Sequence, residues 1–174
     1  MRNVLTIALA ALGVATASMA FGQTQDPEAL VPVNVSVRLG IGLPIDDNLR
    51  DYSSTFLNFG AEYRIDNSLL KGGDTYFAVD LFKGNRNDEG YVIPITINQR
   101  FYTRELSTGR RTYAFAGVGV AYVKGDNWNA NFAFRGGLGA ELGDRIFAEG
   151  GLTLTNSKDG ISGNLIGLSV GYRF

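Results

Sequence analysis

The stretch Val33-Asn34-Val35-Ser36-Val37-Arg38-Leu39-Gly40-Ile41-Gly42-Leu43 alternates without a break. Val33, Val35, Val37, Leu39, Ile41 and Leu43 share one parity, and Asn34, Ser36, Arg38, Gly40 and Gly42 the other. Successive side chains of an extended chain point to opposite faces. The pattern therefore predicts a β-strand with one apolar and one polar wall.

The same pattern recurs in seven more segments. Residues 56–65 set Leu57, Phe59, Ala61, Tyr63 and Ile65 against Asn58, Gly60, Glu62 and Arg64. Residues 75–82 set Thr75, Phe77, Val79 and Leu81 against Tyr76, Ala78, Asp80 and Phe82. Further segments are predicted at 91–102, 113–123, 131–142, 146–155 and 165–174. The intervening stretches are rich in Gly, Asn, Asp and Ser, as turns demand. Each strand keeps its charges on one face: Arg38, Glu62, Arg64, Asp80, Arg100, Arg135, Glu141, Glu149 and Arg173. The expected architecture is all-β, an eight-stranded antiparallel up-and-down barrel.

Two solvents fit such a barrel. In water, as in a lipocalin-like periplasmic carrier, the apolar wall lies inside; in a bilayer it faces out. Composition favours the bilayer. A wetted surface would carry many Lys and Glu, yet the four lysines, Lys71, Lys83, Lys124 and Lys158, all fall in turns or at strand ends. The polar wall holds Gly, Ala, Ser, Asn and Thr, with five Arg against four carboxylates, a set that fits a narrow, self-pairing interior. Gly is 23 of 174 residues, nearly double the usual share of about 7%. A crowded interior and turns account for that excess. Aromatics add a second argument. Tyr63, Phe77, Phe101, Tyr113, Tyr172 and Phe174 fall near one set of strand ends, and Tyr91, Tyr122 and Trp128 near the other. Two such girdles mark the interfaces of a transmembrane β-barrel.

The N-terminus has one positive charge at Arg2, an apolar run, then small residues to Ala20. This is the layout of a cleaved signal peptide over residues 1–22; the run is shorter than the roughly 20 residues a spanning helix needs. Residues 23–32 would form a short periplasmic segment ahead of a barrel over 33–174. A net charge of −1 argues against a nucleic-acid partner. The absence of Cys and His removes thiolate chemistry, disulfides and the commonest general base and metal ligand. No cofactor, metal site or catalytic residue is expected.

The chain closes on Leu168-Ser169-Val170-Gly171-Tyr172-Arg173-Phe174. This resembles the C-terminal assembly signal of bacterial outer-membrane β-barrels, with Tyr172 and Phe174 at its two aromatic positions and Ser169 where the family usually has Gly. Ile93 to Tyr102 also resembles a strand of small outer-membrane barrels. The resemblance, to eight-stranded barrels of the OmpA-transmembrane-domain and OmpX type, covers roughly Val33 to Phe174. It implies an outer-membrane location, both termini in the periplasm, lipid as the surrounding partner, the barrel-insertion machinery as a partner in assembly, and a monomer. Unlike full-length OmpA, the chain is expected to end at the barrel, without a peptidoglycan-binding domain. The resemblance speaks against an enzyme, because barrel enzymes mostly use a His-centred site.

The favoured function is a structural or surface-interaction role, with the Arg–carboxylate set filling the lumen. The alternatives are a narrow porin-like channel and the soluble carrier. Glu62 with Asp80, or Glu141 with Glu149, read better as ion-pair partners than as acid–base pairs. Gly136-Gly137-Leu138-Gly139 lacks the Lys-Ser/Thr of a phosphate loop. Asp46, Asp47 and Asp51 do not have EF-hand spacing. Two residues fit awkwardly. Pro94 inside a strand predicts a bulge or strand end, and Gln99 falls on the lipid face.

Overall fold

A computed structural model describes residues 34–65, 69–70, 73–85, 90–103, 111–158 and 160–174. The signal-peptide reading and the 23–32 segment lie outside these residues. Eight strands form one closed antiparallel barrel in sequence order: β1 Val35–Pro44, β2 Phe56–Ile65, β3 Gly73–Gly84, β4 Tyr91–Tyr102, β5 Thr112–Lys124, β6 Trp128–Glu141, β7 Ile146–Thr155 and β8 Leu165–Arg173. Closure comes from β1 pairing with β8, which leaves no strand edge unpaired. The start of β1 and the end of β8 share one end of the barrel, called here the terminal end.

The pairing is staggered. From Gly40, bonded partners run through Asn58, Phe82 and Val92 to Val123 in β5. In the other direction they run through Ser169, Glu149 and Gly139 to Tyr113 in β5. Val123 and Tyr113 are ten residues apart, and that shear tilts the strands about 40° to the axis.

Burial decides which wall faces where. Leu39 is 64% exposed and its neighbour Arg38 only 1%. Leu57, Phe132, Leu138 and Val170 are exposed likewise, while Glu62, Asp80, Arg100, Arg135 and Glu149 are buried. The soluble-carrier alternative required the opposite and is corrected here: desolvated charges inside and a continuous apolar skin outside suit lipid, not water.

Three expectations need correction. Pro94 is the fourth of the twelve residues of β4 and makes no bulge. Its ladder to β5 is continuous, and its ladder to β3 omits only the Asp80–Pro94 and Leu81–Ile93 pairs before resuming in the same register. The missing N–H thus costs a local break, not a slip. Strand β6 starts at Trp128, not residue 131, because Asn129 and Ala130 already pair with Val123 and Tyr122. The stretch from Pro44 to Ser54 is not a plain loop. It holds a one-and-a-half-turn helix, α1, Asp47–Tyr52, at the end opposite the terminal end. Asp46 caps it by accepting a hydrogen bond from the Leu49 N–H.

Candidate functional site

The lumen holds a ring of three arginines and three carboxylates from six strands. Arg38 (β1) faces Gly60 on β2 and Gly171 on β8, where no side chain blocks its path. Its Nε and Nη2 donate to the two oxygens of Asp80 (β3) at 2.8 and 2.7 Å, a fork-to-fork pair. Its Nη1 donates to Glu62 (β2) and lies 3.6 Å from Glu149 (β7). Arg100 (β4) spans Glu62 at 3.0 Å and Glu149 at 3.1 Å. Arg135 (β6) donates to Glu149 at 3.0 Å and approaches Asp80 at 3.9 Å. All six groups are buried. Unit charges in that setting are tolerated because each sits against two or more of opposite sign.

Aromatic rings wall this ring on the side of the terminal end. The Arg100 guanidinium stands 4.4 Å from the Tyr76 ring, 4.7 Å from Tyr113 and 5.8 Å from Phe147. Arg135 lies 4.7 Å from Phe115. Glycines open the space: a Cβ on Gly139 would strike the Tyr113 ring, and one on Gly171 the Phe147 ring. Tyr113 therefore does not belong to the outer girdle. It shares the inward parity of Phe115, and its hydroxyl donates to Glu149 at 3.1 Å. Sequence reasoning misses Phe115 and Phe147 as lumen walls. Their signal is parity combined with glycines on the facing strands.

Glu141 and Arg173 form a separate cluster at the terminal mouth. Glu141 accepts from Arg173 at 2.7 Å and twice from Arg111, at 2.9 and 3.0 Å. Arg111, just before β5, is a further member that strand parity does not point to. Arg64 joins neither group. It is exposed at the end of β2 and donates to the Asn34 side chain at 2.8 Å.

Toward α1 the filling turns apolar. Leu49 drops from the helix into a cluster of Phe56, Phe82, Val92, Ala121, Val123, Ala133 and Leu165. Three hydrogen bonds tie the helix end to two other connections, β5–β6 and β7–β8. Ser162 donates to Asp46 at 2.6 Å, Asn48 to the Gly160 carbonyl at 2.6 Å, and the Tyr52 hydroxyl to Asp126 at 3.2 Å. Partial burial, then the Asp126 carboxylate, raises the Tyr52 phenol above its ordinary pKa. Asp46 and Asp47 serve the helix, the first as cap and the second in a pair with Arg50. Among the described residues no three His, Cys, Asp or Glu side chains converge as a metal site.

On the outer wall, Tyr63, Phe77, Phe101 and Tyr172 are exposed near the terminal end. Tyr172 packs edge-on against Phe174 at 5.1 Å. At the opposite rim, Tyr122 and Trp128 are exposed and Tyr91 half-buried. Trp128 stacks on Tyr91 at 6.1 Å, while the Lys83 and Lys124 ammonium groups lie 5.9 and 5.3 Å from the same ring. A shallow hollow of about 810 Å³ in the outer wall is lined mainly by outward residues, Ala114, Ala140, Ala148 and Gly150 between Leu39 and Leu138.

The barrel superposes on solved structures. The outer membrane protein Ail of Yersinia pestis, determined in a phospholipid bilayer nanodisc, gives a TM-score of 0.54 at 12% identity, covering 80% of this chain and 98% of that one. The N-terminal β-barrel domain of OprF from Pseudomonas aeruginosa gives 0.51 at 14% identity, covering 83% and 100%. The fold is that of an eight-stranded outer-membrane β-barrel. No protein-family model and no curated protein sequence matches the chain.

Proposed function

We propose that this protein is a monomeric, non-conducting barrel of the outer membrane with a structural or surface-interaction role. The terminal end faces the periplasm, and the α1 end forms the outer surface. Residues 1–22 direct export, 23–32 lie in the periplasm, and the insertion machinery reads Tyr172 and Phe174. The observation that carries the reading is the filled lumen: a charge-balanced ring of six buried groups on one side and an apolar plug stopped by Leu49 on the other. An ion crossing it would have to displace paired charges and then pass the closely packed, mostly apolar layer beneath Leu49, each an expensive step in a low-dielectric medium. No reaction is assigned, since the chain offers neither His nor Cys and its lumen carboxylates are engaged by arginine.

Planar-bilayer recording tests this. The reading predicts a flat baseline from purified, folded protein. Steady conductance steps of a single size would replace it with the narrow porin-like channel.

A further inference from the structure

Two polar side chains lie on the lipid-facing wall, and the chain covers them itself. Thr75 and Gln99 are register partners on β3 and β4. They share the parity of Phe77 and Ile97, both exposed to the outside. Yet Thr75 is 0% and Gln99 8% exposed. They lie within the apolar band and not beyond it, since Phe101, next outward on β4, is closer to the rim and is itself exposed. The Thr75 hydroxyl donates to Gln99 Oε1 at 2.7 Å and accepts the Leu69 N–H at 2.7 Å. Gly73 permits the close approach of the two strands here: a Cβ there would strike the Arg100 carbonyl oxygen and would stand 2.8 Å from the Gln99 amide nitrogen. The hydrogen-bonded chain ties Leu69 to the outside of the barrel. There Leu69 and Leu70 are 70% and 54% exposed.

We propose that Leu69 and Leu70 insert into the lipid leaflet at the terminal end, clasped there by Thr75 and Gln99, and so anchor that rim in the membrane. Hydrocarbon is the occupant that suits the site. Leucine side chains gain from leaving water, and a polar pair in the apolar band is tolerated only when hydrogen-bonded and shielded. The inference rests on the membrane-barrel reading, so the test reports on the two separately.

The single native indole is removed by Trp128→Phe. In that background one new indole is placed by Leu70→Trp, by Leu138→Trp as the wall reference, or by Asn127→Trp as the loop reference. Each protein is folded into phosphatidylcholine vesicles carrying brominated acyl chains. Strong quenching of the indole at position 138 establishes that the wall faces lipid. The proposal predicts that the indole at position 70 is also quenched by brominated chains and emits to the blue of an exposed indole. It should resist aqueous acrylamide several-fold better than the indole at position 127. Thr75→Val with Gln99→Leu should return position 70 toward the aqueous signal while position 138 is unchanged. If position 138 is quenched and position 70 behaves like position 127, the anchor is wrong and the barrel reading stands. If position 138 is not quenched, the barrel reading itself fails. If position 70 is quenched but insensitive to loss of the Thr75–Gln99 pair, the clasp is wrong.

Discussion

Strand β4 crosses two chemistries. From its α1 end it contributes Val92 to an apolar plug, and from its terminal end Arg100 to a six-membered charge ring. Strand β3 does the same with Phe82 and Asp80, only two residues apart. The half toward α1 is packed mostly by apolar side chains, with Asn58, Asn131 and Thr153 buried among them, and gains chiefly from apolar burial. The charged half gains little net energy from burial. Its members hold one another in place because any one left alone would be a desolvated charge. The two halves should therefore answer differently to deletion: a local void in one, an orphaned ion in the other.

The largest expected effect is in the charged half. Arg38→Met leaves Asp80 with the long 3.9 Å approach of Arg135 as its remaining arginine and removes one of the two arginines that hold Glu62. A loss of about 3–5 kcal/mol is expected, read as a lowered urea midpoint of the folded barrel in detergent. Arg135→Leu should cost less than Arg38→Met, since Glu149 keeps Arg100 at 3.1 Å. Equal losses would mean that the ring is not organised around Arg38.

In the apolar half, Leu49→Ala should cost about 2–3 kcal/mol from the void beneath α1 and should expose the helix to protease before the barrel unfolds. Gly171→Ala tests the charged half by overfilling it. The new methyl meets the Phe147 ring, and a loss of about 2 kcal/mol is expected by the same urea assay. Asp46→Ala removes the cap of α1 and the Ser162 bond, for about 1 kcal/mol, visible chiefly as faster proteolysis at α1.

The smallest effect is in pH. The Tyr52 phenol has a raised pKa when folded, so its bond to Asp126 contributes fully below the ordinary tyrosine range and is lost as pH rises through the folded value. Protease resistance of α1 should fall over that alkaline window in the native protein. In Tyr52→Phe this alkaline step should be absent.

The fold is legible because period-two alternation is a backbone property that the barrel preserves. The bounds that alternation proposes for β2, β4 and β7 match the strands at both ends. The lumen is legible in part. Arg38, Glu62, Asp80, Arg100, Arg135 and Glu149 meet, but parity alone does not separate them from Glu141 and Arg173, which the strand stagger places at the mouth, or from Arg64, at an exposed strand end. Closeness to a strand end misplaces Tyr113 in the girdle, where parity would have turned it inward. Helix α1 escapes notice because six residues with one buried apolar side chain show no period. The tie between Leu69 and Thr75 joins a turn to a strand, a pairing that no local pattern announces.

The central claim is that the apolar parity faces lipid and the charged parity is enclosed. With no native Cys, single spin labels can be placed at Leu39→Cys, Leu57→Cys, Phe132→Cys and Leu138→Cys, with Lys158→Cys as an aqueous reference. Power saturation in vesicles then compares collision with oxygen, which concentrates in hydrocarbon, and with a water-soluble nickel chelate. All four wall positions should collide readily with oxygen and scarcely with the chelate, the reverse of position 158. Wall labels as open to the chelate as position 158 would contradict the account, because the apolar face would then be in water.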